Sequence, residues 1–148
     1  MNEGSLPLPR LPTLLIVDDQ LSVCIALEFA LVRAGYRVLL ADSGVMAQAV
    51  AATRSIDGAL IDVHMPGLNG FDTCARLQKR AAERQQPLRI WFMTGAATAD
   101  LEAKGATLGA LGVVRKPFDF PALLATLESG FSAPLPNPSA SVRSVPAP

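Results

Sequence analysis

The feature that most constrains this chain is where its apolar runs stop. Five short runs, "TLLIV" (13–17), "RVLLA" (37–41), "GALI" (58–61), "RIWFM" (89–93) and "LGVV" (111–114), have strand length. Between them, apolar residues recur at helical spacing. Leu21, Cys24, Ile25, Leu27, Leu31 and Val32 form the first such pattern, and Gly35 ends it. "SGVMAQAVAATRS" (43–55) forms the second, with Ser43 placed as an N-cap. The third runs from Gly70 to Glu83, with Phe71, Cys74, Ala75 and Leu77 facing inward. An Ala/Gly-rich stretch at 98–108 is the fourth. The fifth starts at Pro121, with Asp119 near its N-terminus.

Strictly alternating strand and helix patterns with apolar strands imply a parallel sheet covered on both faces. Right-handed crossovers leave few topologies. The expected fold is α/β, a flavodoxin-like, doubly wound (βα)5 domain with strand order 2-1-3-4-5 and its switch point between strands one and three.

The chain has 148 residues, half of them apolar, enough for one domain with a real core. Prolines crowd the ends: Pro7, Pro9 and Pro12 at the front, and Pro134, Pro136, Pro138, Pro146 and Pro148 at the back. The expected organisation is a flexible segment 1–12, a folded domain 13–131, and a disordered Pro/Ser/Ala-rich tail 132–148. Lys+Arg and Asp+Glu both number 13, so no positive surplus exists to bind a phosphate backbone, and no nucleic-acid partner is expected. The N-terminus lacks the apolar core of a signal peptide, and no run approaches the ~18 residues of a membrane span. A cytoplasmic protein without membrane contact is expected. Cys24 and Cys74 fall within helical patterns and read as core fillers.

In such a sheet, chemistry gathers beyond the carboxyl ends of the strands. Strand one ends in Asp18-Asp19, strand three in Asp62, strand four in Thr94-Gly95 and strand five in Arg115-Lys116-Pro117-Phe118. Three carboxylates placed together repel one another, which raises proton affinity or recruits a cation. Oxygen ligands with open positions suit Mg²⁺. Lys116 offers a compact positive charge and Thr94 a hydroxyl donor for phosphoryl oxygens. A carboxylate nucleophile with these companions has the parts for phosphoryl transfer to Asp62. In "LIDVHMPGLNG" (60–70), Pro66, Gly67 and Gly70 let the chain turn sharply and leave that site open.

Taken together, "LLIVDDQ", "LIDVHMPGLNG", "MTG" and "VVRKPF" resemble the receiver domain of bacterial two-component response regulators. The likeness covers about 13–131. The separations fit: 43 residues from Asp19 to Asp62, 32 from Asp62 to Thr94 and 22 from Thr94 to Lys116. The resemblance implies that Asp62 accepts a phosphoryl group from a histidine kinase or histidine phosphotransfer protein. It implies that Asp18, Asp19, Asp62 and the backbone carbonyl of His64 hold Mg²⁺, that Thr94 and Lys116 bind phosphoryl oxygens, and that the bond before Pro117 is cis. It implies a signalling phosphoacceptor that assists its own phosphotransfer and dephosphorylation, not an enzyme in the ordinary sense.

One position departs from the family pattern. The aromatic switch residue three places before the lysine is replaced by Val113, which puts the aromatic half of the usual relay in question. His64, two residues past the acceptor, borders the approach of a hydrolytic water, as does Ala96 two past Thr94. Ala96 is too small to act, so His64 is a candidate modulator of hydrolysis, set against the plainer reading of an exposed loop residue. The acidic pair Asp18-Asp19 has a plainer reading too, as a cap on the first helix. "RLQKRAAERQQ" (76–86) reads as a solvated helix face and Trp91 as core.

No output domain is expected after the last helix, so the expectation is a single-domain regulator, monomeric or weakly dimeric, that signals through protein contacts with an unknown target. Two rivals stand beside it. One is a phosphorylation-independent interaction module, favoured by Val113. The other is a phosphatase of the haloacid-dehalogenase type, opposed because Asp62-Val63-His64 lacks that family's second aspartate.

Overall fold

A computed structural model describes residues 12–135. The expected flexible segment and tail fall largely outside them, at 1–11 and 136–148. Five strands, β1 (Thr13–Val17), β2 (Arg37–Ala41), β3 (Gly58–Asp62), β4 (Arg89–Thr94) and β5 (Gly112–Arg115), alternate with five helices. The helices are α1 (Leu21–Arg33), α2 (Gly44–Thr53), α3 (Gly70–Glu83), α4 (Ala99–Thr107) and α5 (Phe120–Ser132). The strands form one parallel sheet in the order β2-β1-β3-β4-β5, as expected from the pattern.

The sheet is buried on both faces, so alternate strand residues feed separate cores. Leu15, Val17, Ala59, Ile61, Ile90 and Phe92 point to one side, under α2, α3 and α4. Leu14, Ile16, Leu60, Trp91 and Met93 point to the other, under α1 and α5. Trp91 is buried there against Phe131, ring centroids 5.5 Å apart. Cys24 and Cys74 are free thiols inside these cores, and burial pushes the Cys74 thiol up to about 12.

Helix starts follow local chemistry. Ser43, Asn69, Thr98 and Asp119 each accept a backbone N–H from the first turn of α2, α3, α4 and α5. Helix α1 has no such cap: Gln20 stands at its N-cap position without a side-chain bond. Its end at Ala34 is followed by Gly35 at φ 104°, a left-handed turn that glycine adopts freely.

One expected helix face needs correction, and one apolar pattern divides between two faces. On α3, Ala75 lies outward and Thr73 takes the buried place, its hydroxyl bonded to the Asn69 carbonyl at 2.8 Å. On α1 the inner face is Cys24, Leu27 and Leu31. Leu21, Ile25 and Val32, part of the same apolar pattern, lie on the outside together with Phe29. The pattern holds two stripes, and only one meets the sheet.

The end of the sheet that carries the strand N-termini is tied by arginines. Arg84, within the stretch expected to be only a solvated face, donates to the Ala51 and Ala52 carbonyls at the end of α2, at 2.9 and 2.8 Å. Arg89, the first residue of β4, donates to Gly130 and Ala133 carbonyls at the end of α5, at 2.8 and 2.9 Å. Both satisfy helix-terminal carbonyls that have no partner within their own helix. Among the described residues, no helix is long and apolar enough to cross a membrane.

Candidate functional site

The opposite end of the sheet collects the reactive groups, and strand register explains how. Val17 pairs with Ile61, so Asp18 and Asp62, each the next residue, emerge side by side. Asp62 in turn pairs with Met93, and Thr94 pairs with Arg115. Lys116 follows directly, held to β4 by its N–H to the Thr94 carbonyl at 2.8 Å. The Lys116–Pro117 peptide bond is cis.

Carboxylate oxygens of Asp18, Asp19 and Asp62 all lie within 4.8 Å of one another. Asp18 and Asp62 are buried and Asp19 is exposed, so the cluster opens to solvent on one side. The Lys116 ammonium reaches into it, 2.6 Å from Asp18 Oδ2 and 3.5 Å from Asp62 Oδ1. Three carboxylates against one ammonium leave a surplus of negative charge. Burial, then the charge of Asp18, pushes the Asp62 carboxyl above the usual carboxylate range, and Lys116 works against both.

The capping alternative for the acidic pair fails on geometry. Asp18 Oδ1 accepts the N–H of Gln20 at 2.9 Å, ahead of the helix, and no side chain caps α1. The Asp18 carbonyl is also engaged, by the Cys24 thiol at 3.3 Å. Cys24 thus fills core space and steadies the loop that carries the carboxylates, a role its helical spacing did not signal.

Thr94 is buried at the strand end, and its Oγ1 accepts the Ala96 N–H at 3.1 Å. His64 is exposed at the rim, and its N–H lies 3.4 Å from Asp62 Oδ1. An open cavity of about 500 Å³ begins beside it, lined by Val63, His64, Met65, Asn69, Phe71 and Lys104. Val113 is half-buried on β5 opposite Phe92. It helps line a groove of about 200 Å³ with Gly105, Ala106 and Gly112.

A family model described as "Response regulator receiver domain" matches residues 14–128, most of the chain. The chain belongs to the response regulator receiver domain family. The receiver is 35% identical over 116 residues to the transcriptional regulatory protein CusR of Escherichia coli strain K12, covering 78% of this chain and 49% of CusR. It is 33% identical over 114 residues to the transcriptional regulatory protein FixJ of Bradyrhizobium diazoefficiens, covering 77% and 54%. The chain spans about half the length of these curated relatives. The chemotaxis protein CheY4 of Vibrio cholerae superposes with a TM-score of 0.75 at 30% identity, covering 82% of this chain and 99% of CheY4. The receiver therefore has a flavodoxin-like fold shared with two-component response regulators.

Proposed function

We propose that this receiver works as a response regulator that takes a phosphoryl group onto Asp62 from a phosphohistidine on a kinase or phosphotransfer protein. The observation that carries the reading is the ammonium of Lys116 seated between two buried carboxylates, one of them with a raised proton affinity. Such a site is short of positive charge, and a bound divalent cation would supply it, offsetting both the carboxylates and the charge that the phosphoryl group brings.

In the transfer, an Asp62 oxygen attacks phosphorus as the donor's N–P bond breaks. The leaving imidazole keeps the electron pair and takes up a proton. Lys116 and Thr94 hold phosphoryl oxygens, and sheet register keeps both groups at the required edge. Receiver domains bind Mg²⁺ through acidic residues, and the donor set here, all oxygen and net negative, fits that ion. Asp18, Asp19, Asp62 and the His64 carbonyl would hold it, and when bound it neutralises phosphoryl charge. Output then passes through protein contacts in the cytoplasm, by way of a target that recognises the loaded surface. The folded unit is proposed to span 13–131, with Ser132 closing α5.

The test is intact mass after incubation with Mg²⁺ and acetyl phosphate. A single phosphoryl adduct on Asp62 is the expected result. Continuous hydrolysis of many phosphate esters would instead favour the phosphatase. Val113 is the one observation on the side of a phosphorylation-independent interaction module, and failure to form any adduct would select that reading.

Two variants probe the roles separately. Asp19→Asn removes an anionic ligand from the exposed side of the cluster, and should weaken Mg²⁺ binding roughly tenfold and slow phosphorylation in step. Unchanged affinity by calorimetric titration would take Asp19 out of the site. His64→Ala should leave phosphorylation intact, because only backbone atoms of His64 are assigned to the metal. It should change the decay rate of the phosphorylated form severalfold if the ring, on an exposed residue two past the acceptor, borders the path of the hydrolytic water. Superimposable decay curves would assign the ring to solvent.

A further inference from the structure

The basic stretch of α3 has no role in the site described above. It holds Arg76, Lys79, Arg80 and Arg84 against one acid, Glu83. Arg76, Arg80 and Arg84 follow one another at spacings of four, so they form one row along the helix. Among the described residues the ion pairs are those of Lys116, so none of these cations has a carboxylate partner there.

Helix ends account for part of this charge. Arg84 spends two donors on the Ala51 and Ala52 carbonyls, and a cation near a helix C-terminus is favourable. Arg80 is different. It is half-buried, and its Nε is the buried side-chain donor that, among the described residues, has no hydrogen-bond partner. A guanidinium cannot shed its charge, so an unmet donor on it is costly. Arg80 lines a cavity of about 20 Å³ between the ends of α2 and α3. Ile56, Leu77 and Leu88 give that cavity buried apolar walls, and the exposed Arg54 and Arg84 border it.

We propose that this cavity receives a carboxylate side chain of a partner protein, carried on an acidic segment that lies along the arginine row. Charge selects an anion. Size selects a small head group, because about 20 Å³ admits one group near the size of a water and no base or sugar. Shape selects a carboxylate, whose two oxygens match the parallel Nε–H and Nη–H of a guanidinium. The apolar walls suit the methylene stem of a glutamate. Arg76 and Lys79, exposed further along α3, meet neighbouring acids of the same segment. Ile56 and Leu88 come just before β3 and β4, so the cavity lies at the end of the sheet away from Asp62. An acidic partner is therefore held there whether or not the acceptor is loaded.

The test is titration of the full chain with a synthetic peptide of alternating glutamate and alanine, followed by calorimetry and by the NMR signal of the Arg80 Nε–H. The peptide should bind with a Kd below about 1 mM, shift that signal at saturation, and lose about tenfold in affinity when its glutamates are replaced by glutamines. Arg80→Lys keeps the charge but not the paired donors, so it should weaken binding about fivefold. Arg54→Gln, at an exposed position, should weaken it about twofold with an unchanged melting temperature. No saturation by about 1 mM overturns the proposal, as does an Arg80→Lys chain that folds and binds like the wild type. Should Arg80→Lys fail to fold, the wild-type signal decides: an Arg80 Nε–H that stays in place at saturation overturns the proposal. Tighter binding of a single-stranded oligonucleotide or of phosphatidylglycerol vesicles than of the peptide assigns the row to those anions and also overturns it. Asp62→Asn should bind the peptide as the wild type does, which keeps this outcome separate from the identity of the acceptor.

Discussion

Asp62→Asn is expected to cut phosphorylation by at least about a thousandfold and, at neutral pH, to make the metal-free domain more stable. The first effect follows because an amide oxygen is not a competent nucleophile toward phosphorus. The second follows from the position of the carboxyl. Burial, and then Asp18, raise its proton affinity in the folded state, against the opposing pull of Lys116. A raised carboxyl supports the fold while it is protonated, below the ordinary aspartate range, and that support is lost as pH rises through the folded value. At neutral pH the wild-type domain therefore holds an unfavourable charge that asparagine lacks. The expected gain is on the order of 1 kcal/mol, or about 3–5 °C in Tm. It should shrink at acidic pH, as the raised wild-type carboxyl takes up its proton as well. Melting curves at the two pH values, recorded without divalent cations, measure the difference. A lower Tm for the variant at neutral pH would mean that attraction to Lys116 outweighs burial and Asp18.

Gly70→Ala should be the most damaging small substitution near the site. A Cβ at Gly70 would collide with the carbonyl oxygen of Asp62 and lie 2.8 Å from the Cα of Val63. Those are backbone atoms of the acceptor and of the residue after it, and they cannot swing aside. The expected cost is about 3 kcal/mol, or roughly 10 °C in Tm, with slower phosphorylation of whatever remains folded. Two neighbouring glycines serve as controls. Gly67, at φ +75° with nothing within 4 Å, should lose only about 1 kcal/mol on change to alanine, from left-handed strain. Gly95 has open space and no such φ, so Gly95→Ala should be nearly silent. If Gly70→Ala and Gly95→Ala melt alike, α3 is not seated on the acceptor strand as described.

The turn after Asp62 shows how far sequence reading reached. Proline and glycine there announce a sharp loop, and the loop is present. The need for glycine at 70 has a different cause from the one at 67: close approach, not a positive φ. That approach depends on where α3 packs, a tertiary fact with no local signature. The sheet and its strand order were legible because strand ends fell on charged or hydroxyl residues at a regular beat. The gathering of Asp18, Asp19, Asp62 and Lys116 followed from that beat together with parallel register. Helix faces were less legible. On α1, two apolar stripes lie within one periodic pattern, and periodicity cannot say which one meets the sheet. On α3, Thr73 is buried because its hydroxyl is satisfied by its own helix, so a polar letter concealed a core position. Arg84 read as a surface charge, and Arg89 only as the start of a strand, because their partners are carbonyls near the ends of α2 and α5, distant in sequence.

Those two arginines give the molecule a division of labour. The fastenings that tie helix ends into the frame sit at one pole, and the charges that oppose folding sit at the other. Drift in the sequence at the acidic pole can retune how long a signal lasts, or which protein delivers it, without loosening the frame. Drift at those two arginines is answerable only to the frame. A lineage built this way can explore signalling behaviour at little structural risk, because the two demands are written at opposite ends of the same five strands.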